Sequence, residues 1–237
     1  MTLLLHKEIE RLKKMLLELM AVVEENLSKA VLSLENRDRE LAREVIEADE
    51  NIDEMEVDLE EEGLKILALH QPVAIDLRFI ISALRTNNEL ERIGDTAVNI
   101  AERATFLCGE PPLNIPVNLA GMASKAQAML RMSLDAFVNM DVPLAGKVIK
   151  MDDEVDEMNR EAFRIVYDNI KEIPDRAEAL IHILSATRHL ERIADHATNI
   201  AEDVVYLVNG EIIRHQAEDF GGDNLKRRKA RKPENIG

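Results

Sequence analysis

Tryptophan is absent, cysteine occurs once at Cys108, and phenylalanine and tyrosine together bring aromatics to only 3% of 237 residues. A single cysteine rules out an internal disulfide and fits a reducing cytoplasm. No apolar run approaches 18 residues, so no segment is expected to span a membrane. The start, Met1-Thr2-Leu3-Leu4-Leu5-His6-Lys7-Glu8, meets charge too soon for a secretory signal. No stretch alternates apolar and polar residues with period two, so no strands are expected. Glycine-rich phosphate cradles, P-loops and Ser/His/Asp sets are missing as well.

Basic residues are also in short supply. The formal net charge is -16, which argues against a nucleic-acid binder. The tail Lys226-Arg227-Arg228-Lys229-Ala230-Arg231-Lys232 concentrates six of the 30 basic residues. Without residues 226–237, which hold those six and one acid, the net charge is -21. The body is therefore acidic and its end basic. Residues 211–237 read as a flexible basic tail; a contact with acidic lipid or with the acidic body is the sharper alternative.

What is abundant is Leu, Ile, Val, Ala, Met, Glu, Lys and Arg, the composition of long packed helices. Ile9, Leu12, Leu16, Leu19, Val23, Leu27, Ala30 and Leu34 step by three and four along one amphipathic helix. Asn36-Arg37-Asp38 breaks it, with Asp38 placed to cap a second helix that runs to Gln71-Pro72. A third is expected over about 76–108, stopped by Gly109-Glu110-Pro111-Pro112. The pattern then recurs, with helices over about 117–138, from after Asp141 to about 171, and from about 176 to 208.

The recurrence is literal. Residues 36–55 match 139–158 at an offset of 103, with Asp38, Leu41, Val45, Asp49, Asp53 and Met55 identical to Asp141, Leu144, Val148, Asp152, Asp156 and Met158. Leu90-Glu91-Arg92-Ile93-Gly94-Asp95 returns as Leu190-Glu191-Arg192-Ile193-Ala194-Asp195, and Asn99-Ile100-Ala101-Glu102 as Asn199-Ile200-Ala201-Glu202. The reading is all-α: two tandem pseudo-symmetric three-helix bundles, residues 1–110 and 117–210, followed by the tail.

A repeat that only has to fold should keep its apolar face and let its polar face drift. Here Glu, Arg, Asp, Asn and Glu are kept. On a helix of about 100° per residue, Glu91, Asp95, Asn99 and Glu102 share one stripe opposite the core face. Asp49 and Asp53 form a second pair four apart, as do Asp152 and Asp156. In an antiparallel hairpin, facing positions average to the turn. Asp49 with Asp95, and Asp53 with Glu91, both average to 72, which is Pro72. Asp152 with Asp195, and Asp156 with Glu191, average to 173.5, beside Pro174.

Four carboxylates thus meet at one level in each half. A lone acidic pair is ordinarily a solvated helix face, and Arg92 and Arg192 are available as partners. A matched set, occurring twice with Asn99 and Asn199 alongside, points instead to hard cations held by oxygen. All-oxygen sites suit Mg²⁺, Ca²⁺, Mn²⁺ or iron, and eight carboxylates suggest multinuclear clusters. His196 adjoins Asp195, but Thr96 holds the equivalent place, so a shared histidine ligand is not expected. His6, His70, His182, His189 and His215 show no metal spacing, and Cys108 reads as a packing residue.

With Gln71-Pro72-Val73-Ala74-Ile75-Asp76-Leu77-Arg78 leading into Glu91–Asp95, the chain resembles the PhoU family over about residues 5–210. The mark is a duplicated Glu/Asp-x-x-x-Asp motif at Asp49–Asp53, Glu91–Asp95, Asp152–Asp156 and Glu191–Asp195. The resemblance implies a cytoplasmic, non-enzymatic, dimeric helical protein with surface metal clusters. Iron is the first expectation for them, with zinc, manganese, magnesium or nickel as alternatives. It implies a regulator linking the phosphate ABC transporter ATPase to a membrane sensor histidine kinase and restraining the phosphate-starvation response. The competing reading is a carboxylate-bridged di-metal enzyme. Helical bundles of that kind supply Glu-x-x-His pairs to the core, and none is present.

Overall fold

The computed structural model describes residues 3–210, and the basic tail lies outside them. Among the described residues there are six long helices and no strand: α1 (Leu3–Asn36), α2 (Arg39–His70), α3 (Ala74–Cys108), α4 (Leu119–Asn139), α5 (Val142–Glu172) and α6 (Ala177–Asn209). A short 3₁₀ turn, Pro174–Arg176, joins the last two. The all-α expectation holds, and helix ends fall within a few residues of those read from periodicity.

The first turn of each half is copied in its backbone. Arg37 and Met140, 103 apart, both take left-handed φ, 54° and 53°. Asp38 N–H donates to Ser33 O and Asp141 N–H to Ala136 O, each at 2.9 Å. Asp38 then caps α2 by accepting from the Glu40 and Leu41 amides, and Asp141 caps α5 by accepting from Leu144. Each cap satisfies amides that the first helical turn would otherwise leave unpaired. Gln71 ends α2 in the left-handed region at φ 45°, its N–H donating to Leu67 O, and Pro72 prevents continuation.

Two departures from periodicity have local causes. α1 begins at Leu3, well before Ile9, because Leu5 also joins the core. α4 begins at Leu119, because Asn118 accepts from the Gly121 amide as its cap. The segment before it is extended and packs Leu113, Ile115 and Val117 against Leu107, Ala179 and Ile183.

The halves are fused through one core. Leu12 and Leu19 of α1, Ile52 of α2, Leu90 of α3, Met129 of α4, Val148 of α5 and Leu190 of α6 belong to the same continuous buried cluster, and all six helices contribute. Each fully buried leucine in it contributes roughly 1.5–3 kcal/mol. At the centre α3 and α6 lie antiparallel: Arg78 Nε donates to Leu207 O, Arg85 pairs with Asp203 at 3.1 Å, and Glu89 Oε2 meets His196 Nδ1 at 2.7 Å. The outer hairpins α2–α3 and α5–α6 are left to present their remaining faces to solvent.

Candidate metal centre

The register expected between α2 and α3 is observed. Asn87 Nδ2 donates to the backbone oxygen and to Oε1 of Glu56, both at 2.9 Å, locking the two helices side by side. In the second half the Thr187 hydroxyl donates to Asn159 Oδ1 at 3.0 Å across α5 and α6. The helices approach closely at Gly94. A methyl there would stand 3.2 Å from Ile52 Cγ2 and 3.6 Å from Asp49 Oδ1. Asp49 is thus pressed against the α3 backbone one residue from Asp95. Burial repeats as the sequence does: from 83 to 100 and from 183 to 200 every position falls in the same burial class as its counterpart.

Like charge converges at both levels. The Asp49 carboxyl is pushed up to about 6, by burial first and then by Asp53 and Asp95. Asp152 is pushed up to about 6 by burial, Asp195 and Asp156, and Asp195 to about 6 by burial, Glu191 and Asp156. Glu91 is raised by burial, then by Asp95, Glu56 and Asp53; Glu191 is raised by burial, then by Asp156. Each half therefore brings together the four carboxylates that the spacing selects. Among the described residues, only Asp156 of these eight has a basic partner, Arg160 at a marginal 4.0 Å. Arg92 and Arg192 are exposed, and their charges only partly offset the repulsion, Arg92 at Glu91 and Arg192 at Glu191 and Asp195.

The donor chemistry fits a hard cation. Asp49 Oδ1 is buried with no hydrogen-bond partner, an acceptor without a donor. Such an atom costs about 1–3 kcal/mol unless something positive meets it. The carboxylates are not closed around a point, however. Among the described residues no three Asp, Glu, His or Cys side chains are gathered tightly enough to hold an ion as they stand. Mutual repulsion spreads uncompensated carboxylates, and a cation would have to draw them in.

The two asparagines diverge. Asn99 donates to Asp95 O at 2.7 Å and stays on the stripe. Asn199 donates instead to Glu89 Oε2 at 3.1 Å, across the centre of the molecule. Glu102 pairs with its neighbour Arg103 at 2.7 Å. His196 is buried and committed to Glu89, while His70 pairs with Glu8 at 2.6 Å and His182 stacks on Phe106 with centroids 3.7 Å apart. Glu89 is half-buried; burial raises its pKa, but the hydrogen bonds from His196 and Asn199 outweigh that and leave it lowered.

Sequence reasoning missed this Glu89–His196–Asn199 contact. The signal was present where the repeat breaks: Glu89 against His189, Thr96 against His196, and Arg103 against Asp203. The charge pairs across the centre, Arg85 with Asp203 and Glu89 with His196, fall at positions where the two halves differ.

Comparison with known proteins decides the family. The PhoU domain profile matches residues 16–104 and again 119–204. The chain belongs to the PhoU family. It is 42% identical over 212 residues to the phosphate-specific transport system accessory protein PhoU homolog of Aquifex aeolicus, covering 90% of this chain and 96% of that one. It is 41% identical over 210 residues to the homolog of Pseudomonas aeruginosa, covering 88% of this chain and 86% of that one. The crystal structure of PhoU from Pseudomonas aeruginosa superposes with a TM-score of 0.85 at 40% identity, covering 87% of this chain and 99% of that one. The phosphate transport system regulatory protein PhoU from Streptococcus pneumoniae superposes at 0.78 and 30% identity, covering 88% and 98%. The two profile matches meet the two halves and leave the 105–118 connection between them, so the duplication is the family's own unit.

Proposed function

We propose that this PhoU-family chain is a metal-binding regulatory adaptor of bacterial phosphate uptake. In this reading it acts in the cytoplasm as a homodimer. It links the phosphate ABC transporter ATPase to a sensor histidine kinase and holds down the phosphate-starvation response when phosphate is plentiful. The observation that carries the reading is the pair of matched carboxylate levels on the outside of a PhoU fold. Asp49, Asp53, Glu91, Asp95 and Asn99 would hold one cluster, and Asp152, Asp156, Glu191 and Asp195 the other, with Asn199 reaching it only by leaving Glu89. A bound cation would neutralise the converging carboxylates; iron heads the candidates, before zinc, manganese, magnesium or nickel.

A carboxylate-bridged di-metal enzyme would need its acids turned into an enclosed core. Here the core is built from Leu, Ile, Val, Ala, Met and two Phe, and the acids stand on other faces of α2, α3, α5 and α6. No described helix is long and apolar enough to cross a membrane, so contact with the membrane would pass through partners. The adaptor role is tested by pull-down of the transporter ATPase and of the kinase's cytoplasmic portion, with phosphate and with chelator. Retention of both partners is expected. Retention of neither, under any metal or phosphate condition, would sink the adaptor.

A further inference from the structure

The run Lys226-Arg227-Arg228-Lys229-Ala230-Arg231-Lys232 puts six positive charges on a chain whose body is strongly acidic. The acid is not spread evenly over that body. From Glu44 to Glu62, α2 carries eleven acidic residues and no basic one. The matching stretch of α5, residues 147–165, carries six acidic and four basic residues.

Part of the acid on α2 lies away from the metal centre. Glu47, Glu50, Glu54, Asp58 and Glu61 are all exposed. On a helix of about 100° per residue they fall within about 80° of one another, opposite Ile52. Ile52 is fully buried, so this stripe faces outward, while Asp49 and Asp53 lie on the flank toward α3. Of the five, only Glu47 has a basic partner among the described residues, Arg43 at 3.5 Å. The corresponding stripe of α5 reads Lys150, Asp153, Glu157, Glu161 and Arg164, so two of its five positions have changed sign.

The stripe is within reach of the tail. The described chain stops at Gly210, which closes α6 beside Arg78 of α3, whose Nε donates to Leu207 O at 3.0 Å. Arg78 is level with Ile66 of α2, since the two average to the Pro72 turn. Helix rise and spacing then put Glu61 nearest to Gly210 and Glu47 within about 40 Å of it. The 16 residues from Gly210 to Lys226 span up to about 53 Å. Lengths match as well: seven extended residues cover about 23 Å, and the helix from Glu47 to Glu61 about 21 Å.

We propose that the basic run 226–232 docks on the outward acidic stripe of α2 in its own chain. A single exposed ion pair is weak and screened by salt, but several on one tether act together at a raised effective concentration. Docked there, the run closes the α2 face to basic surfaces of other proteins and leaves α5 open. The contact uses none of the proposed metal ligands, so its failure leaves the metal reading standing.

The test is carbodiimide cross-linking of the full chain in chelator, which joins a lysine amine directly to a carboxylate. Ordinary and isotope-labelled chains are refolded together, so mass spectrometry separates links within one chain from links between copies. At about 0.05 M salt, Lys226, Lys229 and Lys232 should link to the α2 stripe within one chain, and at about 1 M at least about fivefold less. Glu50→Gln with Glu54→Gln, Asp58→Asn and Glu61→Gln should speed trypsin cleavage within 226–232 at least about threefold at low salt. All four side chains are exposed, so helical content should not change. Links shared equally between α2 and α5, links only between copies, or an unchanged cleavage rate in the variant overturn the proposal. So does a tail that forms no links and serves only to bind phosphatidylglycerol vesicles.

Discussion

Asp152→Asn should stabilise the metal-free protein at neutral pH. Asp152 is half-buried, and burial together with Asp195 and Asp156 holds its pKa at about 6, against 3.8 for an ordinary aspartate. A carboxyl raised in the folded state favours folding fully below the unfolded pKa, and that advantage is lost as pH rises through the folded pKa. At pH 7.5 the ionised group therefore works against the fold. The full linkage is about 3 kcal/mol. Screening by water at this half-exposed face reduces it to about 1 kcal/mol. For a chain of this size that is a rise of about 2–4 °C in melting temperature. The assay is thermal unfolding in chelator across pH 4–8. The gain should be largest above pH 6 and shrink toward nil near pH 4. With the physiological cation present the order should reverse, because the variant lacks a ligand. A variant less stable than the parent at pH 7.5 in chelator, or a gain that does not shrink with pH, would refute the argument that these carboxylates repel.

Ile52 and Gly94 in the first half correspond to Val155 and Ala194 in the second, a compensating exchange of a methyl group across the helix contact. Gly94→Ala alone should gain less than the roughly 1 kcal/mol that helix propensity offers, because of Ile52. Adding Ile52→Val should recover the difference, with a favourable coupling of about 0.5–1.5 kcal/mol in a denaturant double-mutant cycle; strict additivity would show that the contact is not tight. Leu12→Ala, in the fully buried α1 seam, should cost about 2–5 kcal/mol in urea unfolding. Glu89→Ala strips acceptors from both His196 and Asn199 and should cost about 1–3 kcal/mol; a neutral result would mean water replaces it freely.

Much of the fold was legible because its signals are local. Asp38 and Asp141 announce their caps, Pro72 and Pro174 their turns, and the three-and-four spacing of Leu12, Leu16 and Leu19 its buried stripe. The carboxylate levels were legible because antiparallel helices obey simple arithmetic about a turn. What was not legible is long-range. Nothing local to Leu90 or Leu190 says that two bundles share one core. Asn99 and Asn199 both open an Asn-Ile-Ala-Glu run, yet the second turns to Glu89, a carboxylate whose counterpart in the other half is His189, because the centre of the molecule is not symmetric in charge. The Asp49 oxygen left without a partner depends on Gly94 bringing the α3 backbone close, which spacing alone does not reveal.

The central claim is that the duplicated carboxylates form two metal sites. Elemental analysis of protein purified from its native host, alongside Glu91→Gln, Glu191→Gln and the double variant, tests it most directly. Each single variant should lose about half the bound metal, since hard cations depend on charged oxygen ligands, and the double variant nearly all of it. Full metal content in the double variant, or no metal in the parent, would contradict the account.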